Sequence, residues 1–259
     1  MKVFSIGKPN ENLVNEDAAI AKDSLIAVSD GAGGGGVFAD LWSRYLVDHL
    51  PEEPITDYQT FDAWIDGIWE PFYNSCEEKA KGVGGMLLNK FYDEGSFATL
   101  VAVWKDGRWI SYGDSVAFCY DKNTGRLQHS FGNIVDFNNP PYLVNCKDPL
   151  DVKGFRCGQF EQNENSVVFA ASDALAHYIL IMYKVAHKDW YGDELLEAVD
   201  AQTKNSNYVK SAMSLVEVIF EQRLMKLLEL KHKGNFKQHL QKLYREGFLA
   251  LDDYSIAIL

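Results

Sequence analysis

The sequence predicts an α+β fold, in which the strands are grouped in the middle of the chain and the helices lie in separate blocks. The strand prediction rests on residues 97–104, 108–112 and 116–120, which are rich in β-branched and aromatic side chains. The turn sequence Asp106-Gly107 separates the first two, so we expect an antiparallel meander. The helix prediction rests on apolar residues that recur every three or four positions over residues 61–81.

The other elements follow from the same periodicities and from helix-breaking residues. Residues 25–29 form a short apolar run, which predicts a buried strand, and Pro51 ends the helix expected over residues 38–50. Pro71 is expected to kink the helix that follows. The rest of the chain predicts an irregular segment at 131–160, strands at 167–171 and 254–259, and helices at 173–186, 208–231 and 236–244.

The composition is that of a globular protein. Hydrophobic residues make up 47% of the 259 residues and charged residues 24%, a balance that supports a sizeable core and excludes disordered and fibrous classes. Neither an internal repeat nor a linker rich in Pro and Ser divides the chain. We therefore expect a single domain over residues 1–259.

The charge and the cysteines bear on partners and compartment. The formal net charge of −12 repels nucleic-acid phosphates and anionic lipids. The apolar stretches of the chain are shorter than the roughly 20 residues of a membrane helix. From the charge and from these short stretches, we expect neither a nucleic acid nor a membrane as partner. The four cysteines are widely spaced and include no C-x-x-C pair, which is typical of a reducing compartment. We expect a cytoplasmic protein.

Acidic residues recur where predicted strands begin or end. These residues are Glu16 and Asp17, Asp30, Asp114, Asp173, and Asp252 and Asp253. If the strand ends converge, so many carboxylates repel one another unless they are protonated or neutralised by cations. Oxygen ligands without a Cys or His cluster favour Mg²⁺ or Mn²⁺ over zinc. A turn or helix cap is the alternative explanation for any single aspartate, above all for Asp173, which precedes a helix.

The glycine-rich segment 30–36 has two interpretations. Gly31, Gly33 and Gly36 fit the G-x-G-x-x-G pattern of a dinucleotide site, with Glu52 or Glu53 at a suitable distance for a ribose contact. In the second interpretation, Gly31 lets the backbone bend so that its carbonyl and the Asp30 carboxylate face one ion. We favour the second, because the surrounding elements do not alternate as strand and helix.

Six short motifs in order resemble a known family. They are N-E-D-A (15–18), V-S-D-G-A-G-G (28–34), G-S-F-A-T (95–99), Y-G-D-S (112–115), A-S-D-A-L (171–175) and D-D-Y-S (252–255). The set resembles the metal-dependent PP2C (PPM) protein phosphatases, in particular their compact bacterial members. The resemblance implies an αββα sandwich of two antiparallel sheets flanked by helices. It also implies a signalling enzyme that hydrolyses phosphoserine or phosphothreonine in a protein substrate, through a water that bridges two Mg²⁺ or Mn²⁺ ions.

The resemblance also implies roles for individual residues. Asp30 would bridge the two ions, Asp173 and Asp252 would complete one metal site, and Glu16 and the Gly31 carbonyl would help to form the other. Asp17 would belong to the metal site by orienting a metal-bound water, which gives Asp30, Asp17 and Glu16 catalytic roles. Asp114 would join Asp173 at a third, weaker metal site. Asp253 stands where the family usually has asparagine.

Two departures from the family pattern concern phosphate binding. The phosphate-binding arginine of the family corresponds to Asn12, which leaves Lys8 as a nearby cation. The histidine of the family's D-G-H-G-G motif is Ala32. His177, one turn into a predicted helix, is a candidate proton donor, although an ordinary helix histidine is the simpler interpretation. The alternative function is a catalytically weak or inactive PP2C-like binding or regulatory module.

Overall fold

Two antiparallel sheets of five strands pack face to face, and helices cover both outer surfaces. This architecture comes from a computed structural model that describes residues 1–9 and 13–259. The strands are β1 (Lys2–Ile6), β2 (Ala18–Ala21), β3 (Leu25–Ser29), β4 (Phe97–Ala98), β5 (Leu100–Trp104), β6 (Arg108–Tyr112), β7 (Val116–Asp121), β8 (Leu127–His129), β9 (Val144–Asn145), β10 (Phe155–Gln159), β11 (Ser166–Ala171) and β12 (Tyr254–Ile258). The helices are α1 (Ala39–Asp48), α2 (Tyr58–Val83), α3 (Gly85–Glu94), α4 (Asp173–Ala186), α5 (Lys188–Asp200), α6 (Lys204–Met213), α7 (Phe220–Leu228) and α8 (Lys233–Arg245).

The strand order shows how distant parts of the chain meet. One sheet runs β1-β12-β11-β7-β8 and the other β10-β6-β5-β3-β2, while β4 and β9 form a short separate pair. Helices α4 to α8 pack on the first sheet and α1 to α3 on the second. The predicted αββα sandwich is therefore confirmed.

The space between the sheets is filled by small side chains. Most of the buried residues there are alanine, valine or cysteine, such as Val28, Val101, Ala117, Cys119 and Ala170. Short β-branched and small residues let two pleated sheets approach closely. Apart from Phe160 and Trp109, the bulky aromatic residues of the core lie instead on the outer faces, under the helices. This division makes the sandwich a rigid support for the loops at its ends.

Several sequence-based expectations on secondary structure are wrong in detail. The meander is broken, because β7 leaves β6 and joins the other sheet. Gly113 enables this crossing, since its φ of 100° lies in the left-handed region that favours glycine. The helix expected over 208–231 is two helices, α6 and α7, with an interruption between them. The periodicity missed β1, α3 and α5 altogether.

Three further features concern Pro71, the segment 131–160 and the length of the helices. Helix α2 continues through Pro71. The segment 131–160 contains only two short 3-10 turns and the strands β9 and β10. In the part of the chain that the structure describes, no helix is both long and apolar enough to cross a membrane.

Candidate metal centre

The predicted acidic residues lie at one end of the sandwich because the strands that carry them are antiparallel neighbours. Asp17 precedes β2 and Asp30 follows β3, and the register pairs Ala18 with Ser29. In the other sheet, Asp173 follows β11 and Asp253 precedes β12, and these two strands are also antiparallel. Beginnings and ends of antiparallel neighbours share an edge. The fold therefore brings acidic residues from both halves of the chain together.

Asp114 joins this end through the turn that crosses between the sheets. The turn follows β6 and precedes β7, and a hydroxyl pair holds it beside β3. The Thr99 hydroxyl accepts the Asp30 backbone N–H at 3.2 Å, and its oxygen lies 2.7 Å from the Ser115 hydroxyl. The sequence analysis identified Thr99 and Ser115 only through motifs of the family. Their contacts show that these motifs position the turn of Asp114 against the backbone of Asp30.

The carboxylates lie close enough to perturb one another. Burial raises the pKa of Asp30 well above its ordinary value. Four neighbouring carboxylates raise it further: those of Asp17, Asp173, Asp114 and Asp252. Burial likewise raises the pKa of Asp17 to about 7 and that of Asp114 to about 6. Carboxylates that are buried together without a counter-ion keep their protons at a higher pH than isolated ones.

Several carboxylate oxygens at this end have no hydrogen-bond partner. Asp17 lies beside the hydroxyls of Ser172 and Ser255, but neither of its oxygens makes a hydrogen bond of ordinary geometry within the described residues. One buried oxygen of Asp114 is equally unpaired within the same ranges. Buried polar atoms without partners are costly. Such oxygens fit a hard divalent cation, which binds carboxylates and water.

The side chains are gathered but are not arranged as a finished coordination shell. Across residues 1–9 and 13–259, no group of three or more His, Cys, Asp or Glu side chains is placed to hold a metal ion. Mutual repulsion of unneutralised carboxylates favours such separation. The donor set fits Mg²⁺ or Mn²⁺ by its chemistry, because it consists of oxygens alone.

The Glu16 carboxylate contacts the glycine-rich segment. It accepts the backbone N–H of Gly33 and lies beside Lys8. A Cβ at Gly33 would overlap the Glu16 carboxylate, and a Cβ at Gly31 would come within 2.7 Å of the carbonyl oxygens of Glu16 and Ala39. Close approach of the backbone thus requires glycine at 31, whereas at 33 a larger residue would displace the Glu16 side chain. This packing around Glu16 accounts for two of the three glycines in the dinucleotide pattern.

Asp253 and Lys8 connect the two acidic segments. The Asp253 carboxylate accepts the backbone N–H of Lys8 and that of Glu16, both at 2.8 Å. The Lys8 ammonium lies 3.3 Å from the carboxylate of Asp252. Lys8, considered from the sequence as a phosphate ligand, therefore neutralises a predicted metal ligand here. Asn12 lies outside the described residues.

His177 is in the hydrophobic core, where a role as proton donor is unfavourable. It is only 5% exposed, and its ring lies 4.6 Å from that of Phe137 and edge-on to Tyr208. Burial lowers its pKa to about 4, so the imidazole is neutral near pH 7. An ordinary buried helix histidine describes it better.

The sequence analysis missed two cations near Asp114, Lys153 and Arg156. Arg156 on β10 lies opposite Ser111 of β6, and one of its Nη atoms donates to the Gly113 carbonyl oxygen at 2.5 Å. A cavity of about 240 Å³ beside it is lined by Asp114, Lys153 and Arg156 among others. Nothing in the periodicity of 131–160 indicated a site. Only the pairing of β10 with β6 brings Arg156 to Asp114.

Solved structures of bacterial serine/threonine phosphatases have the same fold. The chain resembles the phosphatase PstP/Ppp of Mycobacterium tuberculosis with a TM-score of 0.54 and 16% identity, over 99% of this chain and 96% of that chain. For Stp1 from Staphylococcus aureus the TM-score is 0.52 and the identity is 13%, and the match covers 99% of this chain and 92% of that chain. For the catalytic domain of PstP in complex with two manganese ions the TM-score is 0.51 and the identity is 15%, and the match covers 99% of this chain and 96% of that chain.

No family model matches the chain, and no curated protein matches it in sequence. At 13 to 16% identity, the likeness to solved structures shows the fold alone. The chain therefore has a PP2C-like fold, as its motifs implied.

Proposed function

We propose that this protein is a Mg²⁺- or Mn²⁺-dependent phosphatase that removes phosphate from serine or threonine in cytoplasmic protein substrates, with residues 1–259 as one catalytic domain. The observation that carries the proposal is the group of buried, unpaired carboxylate oxygens at one end of a PP2C-like sandwich. Buried carboxylates that are gathered in this way require cations to neutralise their charge. A phosphoester is a substrate that such cations bind and activate.

Asp30, Asp173 and Asp252 would hold one ion, and Asp30 would share the second with the carbonyl of Gly31 and, through water, Glu16. Asp114 and Asp173 would hold a third, weaker ion. When bound, the ions supply Lewis-acid activation of water and neutralise the charge of the phosphoryl group. Asp17, whose pKa is raised to about 7, would orient the attacking water. No serine or cysteine nucleophile is needed for such a direct hydrolysis.

The central experiment compares the wild type with Asp30→Asn and Asp173→Asn. We expect phosphate release from an aryl phosphate or a phosphopeptide to need Mn²⁺ and to fall at least 100-fold in either variant, because both carboxylates are ligands in the proposal. Asp93→Asn, at an exposed position of α3, is the matched control and should keep full activity. Turnover that persists in EDTA, or that survives both substitutions, would refute the proposal.

A second candidate function is a binding or regulatory module without useful turnover. The observation that favours it is the position of Lys8, which is paired with Asp252 and so is not free to replace the family's arginine at Asn12. Calorimetry separates the two candidates. Binding of Mn²⁺ and of a phosphopeptide by folded protein, without hydrolysis, would establish the module and exclude the enzyme.

A further inference from the structure

The cavity beside Asp114 is lined by charged side chains of both signs. Asp114 and Asp136 are its acidic residues, and Arg156 and the exposed Lys153 are its basic ones. The segment 131–160 builds most of the remaining wall. The cavity therefore adjoins the candidate metal centre through Asp114 and is otherwise shaped by residues that carry no proposed metal role.

Arg156 is a half-buried cation, and the carboxylates of Asp114 and Asp136 lie near enough to favour its charged form. Within residues 1–9 and 13–259, no carboxylate oxygen comes within 4 Å of its guanidinium, and its one hydrogen bond is the donation to Gly113. A guanidinium has five N–H donors, so most of them remain available. The guanidinium group of Arg156 lies over the ring of Phe131, whose centroid is 5.1 Å from the Cζ atom of Arg156.

Charges of both signs thus line one cavity, and Asp114 and Arg156 act on each other without a hydrogen bond between them. Asp114 has a buried oxygen without a partner among the described residues, and Arg156 has unused donors. Buried charges in proteins are ordinarily paired, because an unpaired one loses hydration without compensation. Asp136 already accepts the backbone N–H of Asn133. If a cation neutralises Asp114, the unused donors of Arg156 are therefore available to an anion. A phosphoryl group matches a guanidinium, since two parallel N–H donors can reach two of its oxygens.

We propose that Arg156, assisted by Lys153, binds the phosphoryl group of the substrate and supplies the positive charge that Asn12 lacks. The catalytic role of Arg156 rests on the proposed phosphatase function. Binding of phosphate by Arg156 does not depend on that function. The family's arginine corresponds to a position before β2, whereas Arg156 lies on β10, at the opposite edge of the same sheet. The phosphate site would thus be completed from that opposite edge.

The test measures binding of inorganic phosphate by calorimetry, in Mn²⁺ and in EDTA, together with hydrolysis of an aryl phosphate. In Arg156→Gln we expect phosphate binding to weaken at least tenfold and KM to rise by a similar factor, since charge-assisted hydrogen bonds are lost. Arg156→Lys should restore part of the binding. The affinity for Mn²⁺ should change less than twofold, which distinguishes phosphate binding from a merely structural role.

Two further variants keep the test decisive. Lys153→Gln changes an exposed residue and should fold normally, with a phosphate affinity about threefold weaker. Arg126→Gln removes an exposed arginine that is paired with Glu161 and should bind phosphate as the wild type does. Unchanged phosphate affinity in folded Arg156→Gln, or in Lys153→Gln if the former does not fold, would overturn the inference.

The outcomes for the two proposals can be told apart. Mn²⁺-dependent hydrolysis that is insensitive to Arg156→Gln would leave the phosphatase function standing and remove the role of Arg156. Conversely, phosphate binding in EDTA that depends on Arg156, in a protein that hydrolyses nothing with Mn²⁺, would retain the phosphate site and remove the phosphatase function.

Discussion

The carboxylate of Asp253 accepts the backbone N–H of Glu16 at 2.8 Å, so a side chain just before β12 fixes the segment that leads into β2. The other carboxylate oxygen accepts the N–H of Lys8 at the same distance. An asparagine, which the family resemblance places here, has only one acceptor oxygen and would present an N–H₂ group to one of these donors. The aspartate is thus suited to this chain, because it satisfies two donors at once.

Asp253→Asn should therefore destabilise the protein. One backbone N–H would lose its acceptor, at a cost of about 1 to 3 kcal/mol in the free energy of unfolding. Urea unfolding of the metal-free protein measures this change. Asp93→Asn serves as the matched control, since that residue is exposed on α3. Equal stability of Asp253→Asn and the wild type would show that the two hydrogen bonds contribute nothing.

Gly33→Ala should disturb the candidate metal centre more than Gly34→Ala. A methyl group at Gly33 would overlap the Glu16 carboxylate, whereas none of the atoms described lies within 4 Å of a Cβ at Gly34. We expect Gly33→Ala to displace Glu16 and to weaken Mn²⁺ binding roughly tenfold, about 1.4 kcal/mol, with Gly34→Ala unchanged. A Mn²⁺ titration followed by thermal shift compares the two. The same Mn²⁺ affinity in both variants would mean that Glu16 does not contribute.

Metal binding should depend strongly on pH. Burial raises the pKa of Asp17 to about 7 and that of Asp114 to about 6, so both carboxyl groups hold protons in the metal-free protein at a pH where isolated ones are ionised. A carboxylate must lose its proton before it binds a cation, and affinity therefore falls as the pH is lowered. We expect Mn²⁺ to bind at least tenfold more weakly at pH 5.5 than at pH 7.5. Calorimetry in two buffers of different ionisation enthalpy would detect the released protons, and their absence would contradict the prediction.

His177 should contribute to stability near neutral pH and lose that contribution in acid. Its pKa is about 4 in the folded protein and about 6.5 in an unfolded chain. The unfolded state therefore binds the additional proton as the pH falls below 6.5, which favours unfolding. Between pH 7 and pH 5 the loss is about 2 kcal/mol.

The variant His177→Leu isolates this effect. It should lose about 2 kcal/mol less stability than the wild type over the same pH interval, and it should retain the proposed phosphatase activity because the histidine is buried away from solvent. The exposed His232→Gln is the control and should follow the wild type. Loss of activity in a stably folded His177→Leu would instead restore the role of proton donor.

The sequence by itself determined the class of fold, most of the strands and helices, and the acidic residues at their ends. Buried strands such as β3 and β11 are contiguous apolar runs, and the first helices have a clear apolar face, so local periodicity was enough to find them. It did not reveal that β7 changes sheets, since a turn at Gly113 has the same local signal whether the next strand pairs with β6 or crosses the sandwich.

Only the tertiary structure decided which of these residues face one another. It gathered Asp17, Asp30, Asp114 and Asp173, turned Glu16 towards Gly33, placed His177 in the core and brought Arg156 to the cavity beside Asp114. Side-chain neighbours depend on pairing between strands that are separated in the sequence, such as β6 with β10 and β11 with β12, and pairing energy is a sum over both sheets. Local sequence records the propensity of a segment but not its partner.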